Sequence, residues 1–513
     1  MEGASDPGFE RGTKITLKLK PNFRQFAKEK DVEEIIKKYS LFISHPIKLN
    51  GELLNNLQAL WYRNKKEVSN DEYQRFYEYI TGTKLLYKYI LHYSSDVPLT
   101  IKALLFIPTT HTEKMGIGQE PSQISLYSRK ILIKQKMTEL LPRYLRFVKG
   151  VVDCEDIPLN LSRETYQGSA HIEKLKGTLT KRIIKLLEDE MKKDLNSYQA
   201  WYKDFSIFLK EGLTVDRDNA PDILKLILFK CSFKQGQVTL DDYIQNLVKD
   251  QKAIYFLYSP TYEKALSSPY LEPFKAVDIP VIFTEHNLDE VCLKGIGKYK
   301  DLEFVNIETS FESIVSELEK KYPQKLQKKA TELVPEEDIA PLCLWAKNEF
   351  DGKVTKVTSS KRPSSSPGMI LGQISSSMRQ IMSLMGQMNE SIGNPDMQVE
   401  LNVSHKLIRQ INTLRKSNPP LASLLIKSLL DYMMISTAIP IDPVPPSNRS
   451  LLLIEQLAEA SLKGPKKDLK GDFDKKEGKK SVLNEAKDIG KKKDAKKNLE
   501  FIINEKGEAV LKE

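Results

Sequence analysis

Seven apolar residues fall three or four positions apart between residues 172 and 191: Ile172, Leu175, Leu179, Ile183, Leu186, Leu187 and Met191. That period marks one stripe of an α-helix, and so long a stripe needs a broad apolar surface to pack on. Trp201, Phe205, Phe208 and Leu209 repeat the pattern, so two consecutive helices are expected. On both sides of them, apolar runs alternate with helical segments. Before the pair we expect a charged helix over 22–40 and a strand over Phe42–Ile47 ending at an Asn50-Gly51 turn. A helix Asp71–Thr81 and strands at Tyr87–Tyr93, Ile101–Pro108 and Tyr127–Ile133 follow. After the pair come a helix opening at Leu240 and strands at Ala253–Tyr258 and Pro280–Phe283. Alternation of this kind implies layered α/β structure, here two α/β units joined by a helical coil.

From about residue 306 the chain reads as helical and charged, with a Ser/Pro/Gly-rich loop over Ser359–Gly368. Met378, Met382, Met385 and Met388 then share one helical face. Methionine surfaces adapt to many partners, although core packing is the competing reading. Leu421, Leu424, Leu425, Ser428, Leu429 and Tyr432 make one face of a further helix. Beyond Pro443-Val-Pro-Pro446 and a candidate N-cap at Asn448, Leu453, Ile454, Leu457 and Ala460 make another. Burying a Leu or Ile is worth about 1.5–3 kcal/mol. A helical hairpin at a domain end cannot hide both faces alone, so pairing with a second copy is expected, with intramolecular packing the alternative.

Composition narrows the function classes. The chain has 513 residues, 40% hydrophobic and 29% charged, which fits about three globular domains. No apolar run approaches the roughly 20 residues of a membrane span, and Met1–Pro7 shows neither part of a signal peptide. Cys154, Cys231, Cys292 and Cys343 are far apart and form no CxxC pair, which argues against a disulfide framework or a zinc site. The net charge is +10, but residues 463–513 hold 16 Lys against 11 acids, so half the excess lies in a solvated tail. A nucleic-acid partner is therefore not expected. No P-loop, HExxH helix or nucleophile elbow is present.

The densest chemistry lies in Gly150-Val-Val-Asp-Cys-Glu-Asp-Ile-Pro-Leu-Asn-Leu-Ser-Arg163-Glu164. An apolar run meets an acidic cluster, Pro158 stops regular structure, and Arg163 stands just beyond. A guanidinium held beside a helix start suits a bidentate grip on phosphate oxygens, whereas pairing with Glu155 or Asp156 is the bland alternative.

Asp156–Glu164 closely resembles the catalytic loop in the middle domain of the heat shock protein 90 chaperones, and Leu126-Tyr-Ser-Arg-Lys130 resembles their mitochondrial, tumour-necrosis-factor-receptor-associated branch. The resemblance implies an α/β middle domain followed by a mostly helical α+β C-terminal dimerisation domain. It implies that Arg163 contacts the γ-phosphate of ATP held, with Mg, by a separate N-terminal domain. Gln167 would support the loop and Asn160 would shape it. Residues 12–20, with Ile15, Leu17 and Leu19 alternating, resemble the strand that closes that ATP-binding domain. The boundaries implied are a remnant of it over 1–20, a linker helix over 21–41, a large middle subdomain over 42–170 and a helical coil over 171–214. A small middle subdomain then spans 215–305, the dimerisation domain 306–462 and a Lys-rich tail 463–513. Client proteins would meet Met378, Met382 and Met385, and Trp61, for which a buried anchor is the competing reading. Leu424, Leu425, Leu429, Leu453 and Leu457 would form the homodimer interface. A mitochondrial location is implied, with the cytoplasm as alternative. The function implied is ATP-dependent chaperoning, and the rival is a nucleotide-independent holding or scaffold protein, since this chain alone would not hydrolyse ATP.

Overall fold

The computed structural model describes residues 12–43, 45–55, 58–115, 118–119, 122–157, 169–326, 332–362, 364–372, 374–384, 397–437, 439, 441–463, 501–503 and 509–511. It divides into two compact units, Met1–Ser447 and Asn448–Glu513.

The first unit carries three main sheets among its described residues. The N-terminal one is built from β1 (Tyr87–Ser95), β2 (Ile101–Pro108), β3 (Gln123–Ser128), β4 (Ile131–Lys134) and β5 (Lys149–Cys154), in the order β1-β2-β5-β3-β4. Both faces are covered, and the period of two decides which side chain goes where. Ile101, Ala103, Leu105, Ile107, Val152 and Cys154 pack into one core with the helices that follow. Leu104, Phe106 and Val151 face the other way, against Phe42, Trp61 and helix α1 (Asn70–Thr81). That helix starts at a capping box between Ser69 and Glu72 and stops at left-handed Gly82.

The seven-residue stripe becomes α2 (Ser169–Lys193), and the aromatic one becomes α3 (Leu195–Val215). Ile172, Leu175, Leu179, Ile183, Leu187 and Met191 are buried as the spacing requires, and Trp201, Phe205, Phe208 and Leu209 join them.

A six-stranded sheet follows: β6 (Phe229–Cys231), β7 (Gln237–Val238), β8 (Ala253–Tyr258), β9 (Val281–Thr284), β10 (Lys298–Tyr299) and β11 (Leu302–Asn306), ordered β10-β11-β8-β9-β6-β7. β8 is parallel to both neighbours, β9 and β11, and β9 leads into helix α4 (Asn287–Ile296).

The third region holds α5 (Glu336–Glu349), β12 (Lys356–Ser360), β13 (Gly368–Leu371), α6 (Ser376–Leu384), β14 (Gln398–Asn402), α7 (Lys406–Ser417) and α8 (Pro419–Ser436). Its sheet runs β12-β14-β13 and packs on Leu342, Ile408, Ile411, Ile426 and Leu430. Helix α9 (Val444–Lys463) starts four residues before the Asn448 cap that the sequence indicated, because Pro445 and Pro446 fit the first turn, where no N–H is needed.

Three expected strands differ. Phe42–Ile47 is not a strand; Phe42 is a buried ring, and a short hairpin pairs Lys48–Leu49 with Glu52–Leu53 around Asn50-Gly51. Tyr127–Ile133 breaks into β3 and β4 at Arg129-Lys130, both in the left-handed region with φ 49° and 67°. Residues 12–20 pair with no strand among the described residues, and Ile15 and Leu17 stand 77% and 76% exposed.

Candidate functional site

β5 delivers the chain to Glu155, Asp156 and Ile157, and α2 picks it up at Ser169. Asn160, Arg163 and Gln167 lie between these points, outside the described residues. What the structure shows is the frame on which that segment begins.

The frame centres on Asp153, a carboxylate only 2% exposed inside an apolar strand. Its Oδ1 accepts the Arg129 N–H at 2.9 Å, and its Oδ2 accepts the Lys130 N–H at 2.8 Å. The Trp61 indole Nε1 donates to the same Oδ2 at 3.1 Å across 92 residues of sequence. Desolvation holds the Asp153 carboxyl above its ordinary range despite these donors. One side chain thus ties together the segment ahead of α1, the β3–β4 turn and the last turn-in of β5.

Gly150 lets β5 lie close against β2. Its φ is +147°, and a Cβ there would lie 2.2 Å from the Leu104 carbonyl oxygen on β2. Downstream, the Asp156 carboxylate accepts the Thr100 N–H at 2.5 Å, and the Glu155 N–H donates to the Thr100 carbonyl at 3.3 Å, pinning the start of the segment to the β1–β2 loop. Burial pushes the Cys154 thiol up to about 11, so it stays protonated and unreactive at neutral pH.

Around Asp153 runs a rim of alternating charge. Arg129 Nε approaches Glu155 at 3.4 Å. The Lys102 and Lys130 ammonium groups lie 3.8 and 4.6 Å from the centre of the Tyr62 ring. Burial and the Asp153 and Glu155 carboxylates push the Tyr62 phenol upward. Such a rim can position a loop and attract an anion, but it offers no nucleophile. Tyr62 and Lys102 were not singled out from the sequence, and Asp153, Arg129 and Lys130 stood only within longer motifs, with no role of their own. The one available signal was Asp153, the acid of the Asp153-Cys-Glu155-Asp156 cluster that lies nearest the apolar run.

The other expected site residues are scattered. Trp61 is 1% exposed and packs on Phe42, Phe76 and Tyr127, so it is an anchor and offers clients no surface. Met378 and Met382 lie half-buried on α6, and Met385 falls outside the described residues. Leu424 and Leu425 are half-buried on α8, but Leu429 is 4% exposed and belongs to the core beneath the third sheet. Leu429 therefore does not belong to the expected dimer set; the sequence misassigned it because α8 is apolar nearly all round and its pattern does not separate inward from outward stripes. On α9, Leu453 is half-buried and Leu457 is 67% exposed. Among the described residues, no three His, Cys, Asp or Glu side chains cluster at metal-binding distance.

A model of the Hsp90 protein family matches residues 50–487, which include the whole Asp153 frame and the segment it launches. The chain belongs to the Hsp90 family. The TNF receptor-associated protein 1 homolog, mitochondrial, of Dictyostelium discoideum is 37% identical over 439 residues, covering 84% of this chain and 60% of the relative. The chaperone protein HtpG of Desulfitobacterium hafniense is 37% identical over 437 residues, 84% of this chain and 70% of the relative. The heat shock protein 75 kDa, mitochondrial, of Bos taurus is 35% identical over 466 residues, 89% of this chain and 66% of the relative. This Hsp90 chain therefore spans about 60% to 70% of the length of the relatives it matches. No helix of the described residues is long and apolar enough to cross a membrane.

Proposed function

We propose that this chain works as a molecular chaperone of the Hsp90 kind, in mitochondria, where two of the similar proteins are named as residing. The five-stranded and six-stranded sheets with their helices would be its middle domain, and the region from residue 306 its dimerisation domain. The observation that carries the reading is the family match across the Asp153 frame and the Arg163 segment together. Arg163 would meet the terminal phosphoryl group of ATP and stabilise charge during transfer to water, a cationic contribution that in related chemistry is worth about a thousandfold or more. Gln167 would support it. The nucleotide and its Mg would be held outside this frame, whose described residues offer neither a metal cluster nor a phosphate-cradling glycine loop. α9 would bring two copies together.

The test is ATP turnover and suppression of client aggregation by the protein isolated from its own cells, with and without Arg163→Ala. Loss of turnover with the dimer mass unchanged supports the reading. Unchanged turnover overturns the role of Arg163. Aggregation suppression without any turnover would mark a nucleotide-independent holding protein.

A further inference from the structure

In the six-stranded sheet the chain passes from β8 to β9 on one side, then returns to β11 on the other side of β8. The carboxyl ends of these parallel strands flank the crevice where open α/β sheets bind ligands. Here the crevice is filled by the chain's own helix α6. Glu308, just past β11, accepts the Ser376 N–H through both oxygens at 3.0 Å and the Ser376 hydroxyl at 2.7 Å. Glu290, on α4 beyond β9, accepts the Ser375 hydroxyl at 2.5 Å and the Ser377 hydroxyl as well. Tyr258, the last residue of β8, donates its hydroxyl to Gln380 at 2.7 Å. Groups at or just beyond the ends of the three strands thus hold Ser375–Gln380 at the start of α6, where carboxylates also suit the helix dipole.

The junction is polar, buried and incompletely satisfied. Ser375, Ser376, Ser377, Glu290, Glu308 and Arg379 are all at most 3% exposed. Arg379 reaches Glu308 through one nitrogen at 3.4 Å, while its Nε and Nη2 have no partner, and neither does Asn306 Nδ2 beside them. Lys294 pairs with Glu290 at 2.6 Å. Two acids and two bases cancel, but only Arg379 travels with α6. A buried ion cluster gains little net stability, because desolvation offsets attraction. It fixes geometry, and on separation every group finds water, whereas a leucine interface would resist opening at every step.

We propose that this cluster is a latch: it seats the methionine-bearing helix α6 in the crevice of the six-stranded sheet and lets that helix leave as a unit while the sheet stays folded. Desolvation pushes the Glu308 carboxyl above its ordinary range, so the burden of burial rests on the acid that grips Ser376. The inference stands on these contacts and does not depend on nucleotide or on the chaperone reading.

The test is hydrogen exchange on the whole chain, comparing Glu308→Gln and Arg379→Met, each of similar volume to the residue it replaces, with the double variant. Amides of residues 376–380 should exchange about 30-fold faster or more in either single variant, while β8 and β9 keep their protection. The double variant, which removes both members of the Glu308–Arg379 pair, should fall below the product of the two singles. Equal loosening of β8 and β9 would make the cluster part of the sheet's own stability and overturn the latch. So would unchanged exchange over 376–380 in both singles.

Discussion

Replacing Asp153 by Ala removes the acceptor for three donors at once: Trp61 Nε1 and the Arg129 and Lys130 amides. Trp61 is buried, so its N–H cannot rehydrate and is left unsatisfied at about 1–3 kcal/mol. The two turn amides lie nearer the surface, where water takes over part of the loss, and about 1 kcal/mol each is reasonable. Relief of the buried charge, which burial already pushes toward protonation, offsets some of this. The net expectation is about 3 kcal/mol, or roughly 150-fold in a local opening constant. Asp153→Asn keeps one oxygen and turns an NH2 group toward a donor, so about 1–2 kcal/mol is expected. Hydrogen exchange at Arg129 and Lys130 reads this directly, with β1 and β2 amides as the reference. If both turn amides keep their wild-type protection in the Ala variant, Asp153 is not what holds the frame together.

Gly150→Ala would place a Cβ 2.2 Å from the Leu104 oxygen at positive φ, and about 2–5 kcal/mol should be lost in urea unfolding; Gly82→Ala, with open space around it, should lose only about 1 kcal/mol. The Ser69 N–H and hydroxyl with Arg63 hold the Glu72 carboxyl down at about 2. A depressed folded value means its stabilisation of α1 is complete above the unfolded value near 4.5 and fades as pH falls toward 2; an NMR titration midpoint near 4.5 would contradict the capping box. Leu457→Asp on the exposed face of α9 should halve the mass seen by light scattering at micromolar concentration, and an unchanged mass would remove α9 from the proposed dimer.

Much of the fold was legible because period and burial agree. The stripe from Ile172 to Met191 has one buried side, so its spacing gives both the helix and its inward face. Ile101–Pro108 is buried on both faces, and its unbroken apolar run marks it as a central strand. The strands of the third sheet were not located, because β12, Lys-Val-Thr-Ser-Ser, is short and polar and reads as part of the Ser-rich loop. The break at Arg129-Lys130 was missed because neither residue favours positive φ, and the carboxylate that holds them there lies more than 20 residues away. The α6 junction was invisible for the same reason, since Glu290 and Glu308 meet the serines across 68 to 87 residues. Sequence pattern reports local period well and the pairing of distant polar groups hardly at all.

The Arg129-Lys130 turn bears on how this protein would respond to engineering or drift. Left-handed backbone costs a residue with a Cβ about 1–2 kcal/mol, and two-residue hairpin turns are ordinarily Asn-Gly for that reason. Selection for heat resistance alone should therefore drift these positions toward Asn-Gly, leaving Asp153 its two amides but stripping Arg129 and Lys130 from the rim and leaving only Lys102 of its three cations. A library sorted on folding and then on activity would separate the two demands at this one dipeptide.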